Sequence, residues 1–216
     1  MDLEGLDVPG FLSDLEPGEH LEELLWATVK AMDARCTIIY ERGAPYLARF
    51  YVGHRAAPDV PSVYLHRFLA SDDPGFLHSH PWQTSNSLIL TEGYREEWFA
   101  EGVNDVTDPE RPKIEKRLWR PGEWVSIDQN RYHRVELIGK GAWTLFVAGP
   151  RADTWRFWER ATNKFEIWTE RNRRMSDETF IVSARAGDPD VQGLKIGRGG
   201  GQCGVRLARR RRPPPI

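Results

Sequence analysis

The 216-residue sequence predicts an all-β fold, a sandwich or jelly-roll barrel, on three observations. About ten segments rich in β-branched and aromatic residues follow one another at short spacing between Cys36 and Ala148. The separators carry turn chemistry, as in Arg42-Gly43-Ala44-Pro45, Glu92-Gly93 and Gly139-Lys140-Gly141. No helical periodicity interrupts the series, which argues against alternating strands and helices.

Residues 1–18 mix glycine, proline and acids without periodicity and read as a flexible arm anchored by Phe11, Leu12 and Leu15. The main domain is expected over 19–185, with a helix at 19–33, a barrel at about 36–148 and an extension at 149–185. The helix rests on Leu21, Leu24, Leu25, Thr28, Val29 and Met32, which form one apolar stripe opposite Glu22, Glu23 and Lys30, so it should pack outside a sheet. Strands follow at Cys36–Glu41, Tyr46–Val52, Val63–Leu69, Leu77–Trp82, Ser87–Thr91, Tyr94–Ala100, Ile114–Trp119, Trp124–Ile127, His133–Ile138 and Trp143–Ala148. An insert from Glu101 to Lys116 reads as a long loop of the kind that forms lids or binding elements.

After Pro150 the chain becomes rich in aromatics and arginines. Trp155, Phe157, Trp158, Phe165 and Trp168 are expected to cover the outer face of a sheet, and Thr179–Ala184 reads as one more strand. Residues 186–216 hold a glycine run, four consecutive arginines and three prolines, and read as a disordered basic tail. Seven positive charges and no acid fall in 194–216, leaving 23 basic against 32 acidic side chains elsewhere, a net −9. Nucleic-acid binding through the tail is the weaker expectation, because the acidic body repels phosphates and attracts its own tail. Two cysteines exclude a disulfide framework. With no signal-like start and no apolar run of membrane-spanning length, a soluble cytoplasmic protein is expected, with no membrane partner.

The chemistry concentrates in His78-Ser79-His80-Pro81-Trp82. Side chains alternate along a strand, so His78 and His80 project together, either as half a metal site or as core imidazoles bonded to backbone. A second stretch, Arg120-Pro121-Gly122-Glu123-Trp124 followed by Tyr132-His133-Arg134-Val135, adds His133.

Weaker candidates surround them. His66 shares a strand face with Tyr64 and Phe68 and would be a pocket acid or base if that face looks inward. Otherwise Arg67 points inward to meet an anion. Gln83, Ser85 and Asn86 are candidates to orient the ligand imidazoles or to form turns. Tyr94 is a further catalytic candidate. On the same face Glu96 is the nearest spare carboxylate, although a charged residue usually marks the solvent side.

These two stretches resemble the two motifs of the cupin family, G-x5-H-x-H-x3,4-E-x6-G and P-G-D-x4-P-x-G-x2-H-R-V. Gly122, Glu123 and His133 fall at the second motif's glycine, acid and last metal ligand. The departures are specific: Thr84 or Ser85 stands where most cupins carry a ligand glutamate, Asp128 replaces a proline and Leu137 an asparagine. The resemblance implies a cupin-like jelly roll binding a metal through His78, His80 and His133, as in the thiol dioxygenase branch. It implies a mononuclear Fe(II) dioxygenase acting on a small molecule with O2, Zn, Ni, Cu or Mn being alternative metals, and a homodimer. The alternatives are a cupin-type sugar isomerase or epimerase, and a non-catalytic ligand- or protein-binding cupin.

Overall fold

A computed structural model of the chain describes residues 20–53, 61–100, 112–174 and 179–195. The arm, residues 101–111 of the insert and the tail beyond Lys195 lie outside them. All ten expected strands form: β1 (Arg35–Glu41), β2 (Ala44–Tyr51), β3 (Ser62–Phe68), β4 (Phe76–His78), β5 (Thr84–Ile89), β6 (Tyr94–Phe99), β7 (Ile114–Trp119), β8 (Trp124–Asp128), β9 (His133–Leu137) and β10 (Ala142–Ala148). The turns between them are those the glycines announced. Gly43, Gly93 and Gly122 all have positive φ, which glycine adopts without the steric penalty a Cβ brings.

Strands β3 to β10 split into two antiparallel sheets, β3-β10-β5-β8 and β4-β9-β6-β7. In chain order this is 1-8-3-6 facing 2-7-4-5, the strand order of a jelly roll, in which every consecutive strand but one pair crosses to the opposite sheet. Ile89, Val125, Ile127, Val135 and Phe146 fill the space between the sheets. The first sheet is extended at its edge by β2, β1 and a late strand, β13 (Thr179–Arg185). Helix α1 (Leu21–Ala31) packs on the outside of that sheet through Leu25, Trp26 and Val29. The ring centroids of Trp26 lie 5.8 Å from Phe50 and 5.1 Å from Trp143, both edge to face.

The C-terminal extension departs from expectation. It forms a hairpin, β11 (Arg156–Glu159) and β12 (Lys164–Ile167), added to the second sheet beside β4, then α2 (Trp168–Arg174). Trp158 and Phe165 cover the outer face with Leu77, Phe99 and Tyr132, as expected. Trp155, Phe157 and Trp168 instead line the cavity between the sheets. Alternation explains why Phe157 and Trp158 part, because neighbours on a strand must face opposite ways. Residues 186–195, expected to belong to the tail, are ordered elements of the fold. Ala186 and Val191 are buried against the α1 core, and α3 (Pro189–Lys195) is folded.

Candidate metal centre

The imidazoles of His78, His80 and His133 meet at one end of the intersheet cavity. His78 on β4 pairs directly with His133 on β9, so both project to the same face. His80 reaches in from just beyond β4. One ligand nitrogen from each lies within 4.8 Å of the others, and the Nε2 atoms of His80 and His133 are 2.8 Å apart.

His133 is held from behind. His133 Nδ1 donates to Glu96 Oε1 at 2.7 Å, which fixes its tautomer and leaves Nε2 as a lone-pair donor facing the other histidines. Glu96 has no solvent exposure and also accepts from Trp119 Nε1 at 2.6 Å and from Arg131 at 2.9 and 3.2 Å. Burial works to raise its pKa, but the bonds from His133 and Arg131 outweigh this and hold the carboxyl below its ordinary value. The charged residue expected to mark solvent is therefore buried, because four donors replace the water it lost. His78 Nδ1 lies 3.8 Å from Asp72, whose oxygens accept from the Tyr46 hydroxyl and from the Val135 amide at 2.6 Å. His80 stacks on Trp82. Burial lowers the pKa of His78 to about 4 and that of His80 well below its ordinary value, so both stay neutral at pH 7, as ligands must.

The residues present fit a divalent metal. Two unprotonated nitrogens held 2.8 Å apart repel unless a cation or a shared proton lies between them, and the donor set suits a first-row transition ion. Ser85 faces inward at the slot where a carboxylate ligand would stand, and its hydroxyl bonds the Ile127 carbonyl at 3.4 Å. Among the described residues the ligand set is therefore three histidines without an acid.

A cavity of about 160 Å³ opens from the histidines, against the roughly 10–15 Å³ that one water requires, so it has room for a substrate as well as an ion. His66 and Tyr94 line it, as the first of the two strand-face readings anticipated. Burial lowers the pKa of His66 well below its ordinary value, and the ring accepts from Arg49 Nε at 3.0 Å through Nε2, so that nitrogen is engaged rather than free as a base. Burial keeps the Tyr94 phenol protonated, with Glu96 adding to the effect.

Arg67 is a correction: it lies on the opposite face of β3, paired with Glu22 of α1 at 2.9 Å, away from the cavity. Ser85 bonds the Ile127 carbonyl and Asn86 bonds Ser126 on the exposed side, whereas Glu96 is the residue that orients His133. Asp72 was not among the candidates, and nothing in its local sequence separates it from Asp73. Glu41, Arg49 and Arg171 also line the cavity without having been singled out as site residues. Burial, reinforced by Asp72 and partly offset by Arg171, raises Glu41 to about 7.

The jelly-roll strand order and the histidines of both motifs meeting at one point settle the fold. This is a cupin. No family model matches the chain and no curated protein matches it. Among solved structures, this chain is similar to Fe(II) HppE at 12% identity over 67% of this chain and 64% of that one, with a TM-score of 0.39. It is similar to Streptomyces albus HEPD at 10% identity over 54% of this chain and 24% of that one, with a TM-score of 0.39. Bacillus subtilis oxalate decarboxylase, described for its Mn(II) centres, gives 18% identity over 45% and 23%, with a TM-score of 0.32. In each case less than two thirds of the neighbour's chain is covered, and at these scores the likenesses carry no argument about activity.

Proposed function

We propose that this cupin is a mononuclear non-haem Fe(II) dioxygenase that oxidises a small molecule with O2. The observation that carries the proposal is the ligand set: three imidazoles, no acid, and open positions facing a cavity large enough for a substrate. Fe(II) held by His78, His80 and His133 would supply the redox chemistry and the sites for substrate and oxygen. The chain supplies orientation and dryness. Glu96 fixes the His133 ring, and Phe146, Trp155, Phe157 and Ile127 keep water from the reacting end. The resemblance of the three-histidine set to thiol dioxygenases supports a soft or phenolic substrate. A reducing, cytoplasmic setting fits Fe(II) and the free buried Cys36.

The test is oxygen uptake by Fe(II)-loaded protein with a panel of small thiols and phenols. Uptake that depends on one member of the panel, and is lost in His133→Ala, is the expected result. Equal uptake by wild type and His133→Ala would show that the oxidation does not occur at this centre.

A further inference from the structure

We infer that the substrate of this cavity carries an acid group and that Arg171, on α2, receives it. The inference rests on the reading above in taking the three-histidine cavity as the substrate site.

Arg171 lines the cavity and is 6% exposed. Its guanidinium carbon lies 4.6 Å from the ring centroid of Phe76 and 4.5 Å from that of Phe157. The Nε has no hydrogen-bond partner, and no carboxylate among the described residues lies within ion-pair distance of the guanidinium. Glu41 feels its field from the same cavity without pairing with it.

A buried cation with no counter-charge is unfavourable. Two aromatic faces offset part of that, but ring contacts leave the in-plane Nε–H without an acceptor. With a terminal N–H it forms a rigid fork that matches the two oxygens of a carboxylate or phosphonate. Such a ligand supplies both the missing charge and the missing acceptors.

The placement also bears on ligand length. Phe157 lies opposite His78 in the strand pairing, with ring centroids 6.0 Å apart, and it touches Arg171 as well. A ligand with its acid group on Arg171 therefore needs to span little more than one aromatic ring to reach the histidines. That describes a short acid rather than a long-chain one.

The test uses full-length, zinc-loaded protein, in which oxygen chemistry is silent, and reads the fluorescence of the cavity tryptophans Trp155 and Trp168. Propionate, methylphosphonate and neutral propionamide are titrated into wild type, Arg171→Met and Arg171→Lys. We expect saturable binding of at least one acid to wild type, about tenfold or more weaker in Arg171→Met, intermediate in Arg171→Lys, and weak propionamide binding throughout. The tighter acid distinguishes carboxylate from phosphonate. Without ligand, Arg171→Met should melt no lower than wild type, because an unpaired buried charge has gone.

Equal acid binding by wild type and both variants would place the anion on the metal or elsewhere and overturn the inference. So would failure of wild type to bind either acid, or a lower melting temperature in Arg171→Met with unchanged binding, which would make the arginine a packing residue. Should Arg171→Met not fold, Arg171→Lys decides alone, since undiminished affinity there contradicts recognition by the fork. The result stands apart from oxygen uptake: a failed Fe(II) assay leaves it intact, and its failure leaves the metal centre intact.

Discussion

Glu96 touches no solvent, and both its oxygens are engaged, one of them by the imidazole that must present its other nitrogen to a metal. Replacing it by glutamine keeps the shape but removes the charge that His133 and Arg131 share. Glu96→Gln should therefore weaken metal binding by about 10- to 100-fold with the fold retained, as competition with a chromogenic chelator would read. Unchanged affinity would mean that the carboxylate serves packing alone. The buried histidines also set a pH dependence. The folded-state pKa of His78, about 4, lies below its unfolded value near 6.5, so the stability gained by keeping it neutral is present above pH 6.5 and lost as pH falls towards 4. His66 and His80 are lowered in the same direction. Glu41 runs the other way: raised to about 7, it contributes stability at acid pH that is lost as pH rises through 7. Three groups oppose one, so the chelator-treated protein should have a lower urea midpoint at about pH 5 than at about pH 7. A midpoint that rises on acidification would contradict the neutral burial of these rings.

At the scale of elements, α1 contributes packing and no chemistry. Trp26 is 2% exposed and wedged against Phe50 and Trp143, so Trp26→Ala should destabilise by roughly 3–5 kcal/mol in urea unfolding while metal content per folded chain stays unchanged. Metal loss at constant stability would link the helix to the site. This element was legible because its apolar spacing is local, and so were the ten strands, whose turn residues sit beside them in sequence. His78 and His80 were legible for the same reason. Glu96 and Asp72 were not, because what identifies them is a neighbour 37 residues away across β6 and β9, or the packing of a turn against His78. The hairpin β11–β12 was missed as a hairpin because its aromatics serve two faces at once, Trp158 outside and Phe157 inside, which hides a period-2 pattern behind uniform hydrophobicity.

Across the whole molecule, the last described residues pack against the first described ones. Strand β13 pairs along all of β1 from Arg35 to Glu41, and Ala186 and Val191 enter the α1 core. Ending the chain at Lys195 should leave melting temperature and metal content as they are, whereas ending it at Arg174 should lower the melting temperature by uncovering β1. Equal melting of the two would show that β13 adds nothing to the sheet. The central claim is that the jelly roll gathers three histidines from two distant stretches into one metal centre. Elemental analysis of protein purified without added metal, beside His78→Ala, His80→Ala and His133→Ala, tests it most directly. The account predicts about one divalent ion per wild-type chain and sharply reduced occupancy in each variant, with circular dichroism and melting showing the fold retained. Full occupancy in His133→Ala, or three variants that unfold without having bound metal in the wild type, would contradict it.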